Sequence, residues 1–576
     1  MSAPHLILLH PPGVYDFRRR SILYGPVSDV VPSTPVFEMY PIGFLTILTH
    51  LQAHGLKVRI INVALKMLRS RRFDPERMLQ RLRPLAFGID LHWMVHAQGA
   101  LELARIVKRH HPDIPVIMGG LSASFYHEEL IARPEVDFVV RGDSAEEPLR
   151  LLLEALRQGG AYAVIPNLTW KDGGRTRVNP CTHVPANLDG VSFDYRSVVR
   201  STARALLQNL DFFGHMPFLR WLRYPIVAAL SCRGCSHDCI VCGGSADAYR
   251  RTSGRERTAF RDPVRLAEDI VRVGRFISAP VIVLGDLLQG GRDRAERFLD
   301  TLAAHKVRNQ VALEFFAPPP RDFVGRVHAS IPNYNIQISP ESHDEAVRAA
   351  GGRHYTNADL ERFIADALDL DCRRIDIFFM IGLPHQTPAS VQATVLYCRH
   401  LLETFGRGRG AGRLRPFISP LAPFLDPGSN AFHDPARYGY RLRCRTLTEH
   451  VRALEEPDWM HTLNYETEWM DRGAIAAATY DAARDLNELK REFGLLDPRT
   501  ADRIARRIAA ERRALEAIVA VYGLADAAER DRKVHAIMAG LRDGRDGTIC
   551  DKTEMEWPAP LVRFNPLRML AHLIGR

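Results

Sequence analysis

Short apolar runs, each followed by an amphipathic stretch, recur along most of this chain, and that alternation constrains its fold more than any other feature. In the first part, His5–His10, Lys57–Asn62, Leu85–Leu91, Pro115–Gly120 and Asp137–Gly142 read as strands. Helical stretches at Gly43–His54, Ala97–Arg109 and through Leu152 lie between or after them. Strands joined by helices pair in parallel, because a parallel connection needs a crossover of helix length. Residues 1–160 are therefore expected to form a doubly wound, Rossmann-like α/β domain. Ligands of such sheets bind beyond the carboxyl ends of the strands. Those ends fall at Pro11–Gly13, Leu91–Trp93, Gly119–Gly120 and Arg141–Gly142.

Residues 161–222 have weak periodicity and read as a connector. A second series follows: Ile226–Leu230, Pro280–Gly285, Val311–Phe316, Asn335–Ser339, Arg374–Ile381 and Arg413–Ser419. Helical stretches such as Pro263–Phe276 and Asn357–Leu370 separate these strands. Residues 223–435 thus predict a partial (β/α)6 barrel, whose chemistry sits at the carboxyl ends of its strands. Residues 436–576 turn helical. There Ile504, Ile508, Leu515, Ile518 and Tyr522 make a stripe at helical spacing, which reads as core.

At 576 residues, with 46% hydrophobic and 25% charged residues, each part can bury a core. The net charge of +10 comes from arginines spread along the chain, which favours a solvated surface over a nucleic-acid face. No apolar run reaches the roughly 20 residues of a membrane span. The most apolar region, Ala203–Leu230, is interrupted by Asp211, His215, Arg220 and Arg223. Nine cysteines in a chain of this length, with no signal peptide at its start, argue against a disulfide framework. A reducing, cytoplasmic location is expected.

Three of those cysteines are clustered. Cys235, Cys239 and Cys242 are spaced C-x3-C-x2-C in a glycine-flanked loop after the first strand of the second series. Three thiolates can hold three irons of a [4Fe–4S] cube and leave the fourth open to bind a small molecule, whereas a cluster on four cysteines mainly carries electrons. Zinc is the alternative, with Cys232 as a fourth thiolate, in a spacing too compressed for the usual zinc ribbon. Cys181, Cys372, Cys398, Cys444 and Cys550 are scattered and read as small apolar residues.

The run Ser231–Cys242 resembles the cluster motif of the radical S-adenosylmethionine (SAM) superfamily. Three further landmarks follow in order. Gly285–Asp286 ends the second strand, Ser339-Pro-Glu341-Ser342 ends the fourth, and Gly382-Leu-Pro384 ends the fifth. The resemblance implies that Cys235, Cys239 and Cys242 ligate a [4Fe–4S] cluster. It further implies that Asp286 holds the SAM amino group, that Ser339, Glu341 and Ser342 surround its polar end, and that Gly382 and Pro384 pack near adenine. The chain departs from the family pattern at Val241, where an aromatic residue is usual. It departs again at Gly285–Asp286, in place of Gly-Gly-Glu, and at His385–Gln386.

The first domain resembles the cobalamin-binding domain that precedes the barrel in one large subgroup. Leu9-His-Pro-Pro12, Pro41-Ile-Gly43, Gly119–Gly120 and Asp137–Asp143 carry that likeness. It implies cobalamin near Pro12, Gly43, His92, Trp93, Gly119, Gly120, Arg141 and Gly142. The D-x-H-x-x-G motif for an axial histidine is absent, since Val95 stands where glycine is needed. His92 accordingly reads as a strand-end residue rather than a cobalt ligand, and Trp93 as either a corrin wall or core.

Together the two resemblances imply reductive cleavage of SAM to a 5′-deoxyadenosyl radical and cobalamin-dependent methylation of an unactivated carbon. They also imply a small-molecule or peptide substrate and an electron donor of flavodoxin or ferredoxin type. Radical cyclisation or rearrangement, tRNA modification, and a non-enzymatic sensor are the alternatives. Phe417–Ser429 and Leu463–Trp469 are candidate substrate walls, or simply a packed turn and a helix cap.

Overall fold

The computed structural model describes residues 3–28, 34, 36–191, 216–221, 223–275, 277–421, 424–541, 549–557 and 565. Much of the connector and the stretch 203–215 of the most apolar region lie outside these residues.

The first sheet has strand order β2-β1-β3-β4-β5-β6-β7. Its strands are β1 (Leu6–His10), β2 (Val58–Asn62), β3 (Ala86–Asp90), β4 (Val116–Gly119), β5 (Phe138–Val140), β6 (Leu168–Asp172) and β7 (Arg175–Val178). The first five are parallel, with Leu6 opposite both Val58 and Ala86. Every residue of β1 is buried, as expected of a strand with helices on both faces. One covering helix, Ala97–His110, buries Leu101, Ala104 and Val107, and ends on Lys108, Arg109 and His110, which suit its negative pole.

β6 and β7 add antiparallel to β5, so the sheet is mixed rather than purely parallel. This hairpin falls inside the stretch read as a connector. All four residues of β7 are exposed, so it carries no apolar signal.

The second sheet has order β15-β14-β13-β12-β11-β8, all parallel. Its strands are β8 (Val227–Leu230), β11 (Val281–Leu284), β12 (Val311–Phe315), β13 (Tyr334–Glu341), β14 (Arg374–Ile381) and β15 (Leu414–Pro420). β8 and β15 do not pair, so the barrel is open along one side. Between β8 and β11 lies a two-stranded ribbon, β9 (Cys232–Arg233) with β10 (Ala259–Phe260).

Beyond the barrel come helices Arg472–Glu492, Pro498–Tyr522 and Ala527–Gly540. A small antiparallel pair, β16 (Tyr440–Leu442) with β17 (Tyr465–Thr467), interrupts the region expected to be wholly helical. The Arg472–Glu492 helix packs along β15. Segment 549–557 seals the amino end of the barrel. There Trp557 Nε1 donates to Asp376 (2.9 Å), and Lys490 is paired with Glu554 (2.7 Å). Between β14, β15 and this cover is a cavity of about 30 Å3, lined by Phe378, Phe417, Ser419, Asn487, Lys490 and Glu554 among others. It has room for one or two waters. Among the described residues, no helix is long and apolar enough to cross a membrane.

Candidate cluster and cofactor site

The cysteine loop leaves β8 at the barrel mouth, where Ser231 donates through both its N–H (3.2 Å) and its hydroxyl (2.6 Å) to the Leu284 carbonyl. Cys232 lies on β9, with its thiol toward the Gly234 carbonyl (3.8 Å) and against Gly285. Cys235, Cys239 and Cys242 follow on the loop itself. The Cys235 sulfur accepts from the His237 N–H (3.4 Å), and that of Cys242 from the Gly244 N–H (3.3 Å). The Cys242 N–H bonds the Cys239 carbonyl (3.2 Å).

Partial burial raises the thiol pKa of Cys235 and Cys239, and repulsion from neighbouring sulfurs helps bring Cys235 to about 11. Cys239 is partly relieved by the Arg353 guanidinium. Cys242 is exposed to solvent. Among the described residues, no three Cys, His, Asp or Glu side chains converge as ligands of one metal ion. Thiols that each bind a different iron of a cubane need not meet at one point.

Around this loop stand the ends of the other strands. Asp286 is buried, and burial raises its pKa to about 6. One carboxylate oxygen accepts from Leu288 N–H (2.8 Å) and the other from Phe316 N–H (2.9 Å), tying the end of β11 to that of β12. Gly285 lies between Asp286 and the sulfur of Cys232. Ser339 is half-buried on β13, and Ser342 is buried, its carbonyl taking two bonds from Arg348. Between them Glu341 has φ +68° at a bulge that begins after Ile338. Its Oε1 accepts from Arg353 Nε (2.7 Å), while its buried Oε2 has no partner. Arg353 also donates to the Phe316 carbonyl (2.9 Å), and its neighbour Gly352 packs on Cys239.

Gly382 has φ +98°, and a Cβ there would sit 2.5 Å from the Tyr465 hydroxyl. No other residue type fits that turn without moving β17. Pro384 is buried behind it. Gln386 supplies what the altered motif needs, accepting from the Gly382 N–H (2.8 Å) and donating to the Met380 carbonyl (2.9 Å).

On the first sheet, Pro12 is buried, and Gly43 opens the helix Gly43–Ala53 with free space beside its Cα. Trp93, three residues beyond the end of β3, is 37% exposed. Its ring meets that of His92 edge-on at 5.2 Å, and burial lowers the His92 pKa, leaving it neutral. Gly119 is half-buried. Gly120 has φ +117°, and a Cβ there would fall 2.6 Å from the His92 Cα, so the two turns close only around glycine. Gly142 donates to the Ser124 hydroxyl (2.9 Å). Arg141 turns its guanidinium to the Asn179 carbonyl. An exposed aromatic face, a neutral histidine and backbone bare of side chains fit a broad, largely apolar ring.

Sequence reasoning missed the polar groups that support these landmarks. His10 is paired with Asp90 (3.0 Å) at the end of β1. Asp426, in the first proposed substrate wall, accepts from Gly243 N–H (2.9 Å) beside the cysteines. Asn464, in the second, bonds both backbone groups of Leu425, so the two segments pack on each other. Ala422 and Pro423 lie outside the described residues. Arg233 and Arg255 pair with Glu146 and Asp143 of the first sheet. Only their charge could have flagged them, and charge alone does not name a partner.

Comparison with known proteins bears on the fold. The B12-binding domain family matches residues 29–152. A hopanoid C-3 methylase of Methylococcus capsulatus is 25% identical over 287 residues, 49% of each chain. An uncharacterized methyltransferase of Pyrococcus horikoshii is 26% identical over 159 residues, 27% of this chain and 30% of that protein. The chain thus spans about half or less of these curated relatives. Among solved structures, the radical SAM methyltransferase TsrM of Kitasatospora setae, with cobalamin and a [4Fe–4S] cluster bound, aligns with TM-score 0.57. The alignment is 15% identical and covers 94% of this chain and 99% of that one. The cobalamin-dependent radical SAM enzyme OxsB, with aqua-cobalamin and SAM, aligns at 0.52 and 12% identity, covering 94% and 72%. Residues 29–152 thus match the B12-binding domain family, and the chain as a whole shares its fold with these two solved structures.

Proposed function

We propose that this protein cleaves SAM reductively at a [4Fe–4S] cluster held by Cys235, Cys239 and Cys242, and methylates an unactivated carbon of a small molecule or peptide with cobalamin. One observation carries the reading: Arg233 and Arg255, which flank the three-thiol segment on either side, are ion-paired with Glu146 and Asp143 just beyond the carboxyl end of the first sheet. Bound there, the cluster would supply the electron that splits the sulfonium bond, and cobalamin the methyl group.

The chain's own residues would do the rest. The unpartnered Glu341 oxygen and the remaining lone pairs of Asp286 face the polar end of SAM. The Gly382–Pro384 turn, braced by Gln386, offers bare backbone to adenine. Trp93, Pro12, Gly43, Gly119–Gly120 and Gly142 take the corrin and its tail. The methylase and methyltransferase names of the relatives favour methyl transfer over cyclisation. TsrM was solved with tryptophan bound, which favours a small molecule or peptide over RNA.

Anaerobic incubation of the reconstituted chain with SAM and dithionite tests this. 5′-Deoxyadenosine should accumulate, and Cys239→Ala should abolish it. Its absence above a no-protein control, with the cluster intact, would sink the radical reading. Failure to retain a corrin absorption band would remove methyl transfer alone.

A further inference from the structure

Two arginines bracket the start of the cysteine loop, and each is spent on the other sheet. Arg233 stands two residues before Cys235. Its guanidinium grips both oxygens of Glu146 (Nη1–Oε2 3.0 Å) and also reaches the hydroxyls of Ser144 (3.2 Å) and Thr46 (3.4 Å). Arg255 closes the loop from the far side. It packs under Gly234, where a Cβ would meet its Cδ at 2.6 Å, and it forks onto both oxygens of Asp143 (Nη2–Oδ1 3.0 Å). All four side chains are nearly dry, Arg233 and Glu146 at 10% and 9% exposed, Arg255 and Asp143 at 3% and 6%.

A forked guanidinium–carboxylate pair fixes direction as well as distance. Buried pairs of this kind add little net stability over packed apolar residues, and their best-attested use is to select one register. Here the register is between the cysteines and the loop Arg141–Glu146 that ends β5. We propose that Arg233–Glu146 and Arg255–Asp143 are positioning pairs that fix the separation and angle between the iron–sulfur cluster and the cobalamin. The proposal rests on the functional reading above.

The test needs no substrate. The full chain is reconstituted with iron, sulfide and cobalamin, and poised so that [4Fe–4S]+ and cob(II)alamin are both paramagnetic. Their magnetic dipolar coupling is then read by electron paramagnetic resonance. Wild type should show one resolved splitting. Neutralising a single partner strands a buried charge, so the variant of choice removes both pairs together: Arg233→Met, Glu146→Leu, Arg255→Met and Asp143→Leu. It should keep its iron content and corrin spectrum but lose the resolved splitting to a broad distribution. The charge-swapped Arg233→Glu, Glu146→Arg protein should restore more of the splitting than Arg233→Glu alone. An unchanged splitting in the quadruple variant overturns the proposal. Failure of the functional reading looks different, since wild type would then take up no cobalamin or no cluster.

Discussion

At the scale of single residues, Cys235 and Cys239 keep their protons at neutral pH because partial burial penalises each thiolate and neighbouring anions repel it. Taking up iron must release those protons. Reconstitution of the apoprotein should therefore speed up as pH rises from about 7 through and beyond the ordinary thiol value of about 8.5, as followed by growth of the iron–sulfide absorption. Glu146 behaves in the opposite sense. Burial alone would raise its pKa, but the charge and hydrogen bonds of Arg233 outweigh it and hold the group at about 2. Its stabilising contribution is complete above the unfolded value of 4.5 and is lost as pH falls toward 2. Acid titration of the wild type should thus keep this domain contact into the region below pH 4.5, whereas Glu146→Gln should lose that part of the acid dependence. Comparing their denaturation midpoints across pH checks it. The positions of the cysteine loop, Glu341 and Gly382 at strand ends were legible in the sequence, because each follows an apolar run that reads as a strand. Glu146 was not, because it meets Arg233 across 87 residues and nothing local marks either as a partner.

At the scale of elements, the strands were legible where both faces are buried, since an unbroken apolar run leaves few alternatives. The β6–β7 hairpin escaped because Arg175 and Arg177 point to water and its pairing with β5 is non-local. The β16–β17 pair escaped for a similar reason, three residues per strand being too short for a period. Yet this pair buttresses the fifth-strand turn: Tyr440 donates to the Gly382 carbonyl (3.0 Å), and Tyr465 fills the space beside the Gly382 Cα. Gly382→Ala should destabilise the chain by about 1–3 kcal/mol through backbone strain alone. Tyr465→Phe in the same chain should recover part of that in urea denaturation by removing the hydroxyl. Equal midpoints for Gly382→Ala and wild type would contradict the contact.

For the molecule as a whole, one hydrophobic core runs from the first sheet through the barrel into the terminal helices, so the three parts should unfold together. Segment 549–557 belongs to that unit through the buried Lys490–Glu554 pair. Glu554→Ala, which strands the Lys490 charge, should cost about 3–5 kcal/mol, while Lys490→Met with Glu554→Leu should be near neutral. Calorimetry separates the two. The barrel's unpaired flank between β8 and β15 has a broader consequence. A hydrogen-bonded seam would oblige any change in chamber width to disturb two strands and the cysteine loop that β8 carries. The Arg472–Glu492 helix packs along β15, and its Ala483, Leu486 and Asn487 line the small amino-end cavity. Without that seam, β15 and the helix on it can shift without breaking a strand bond to β8, and the cysteine loop that β8 carries is left in place.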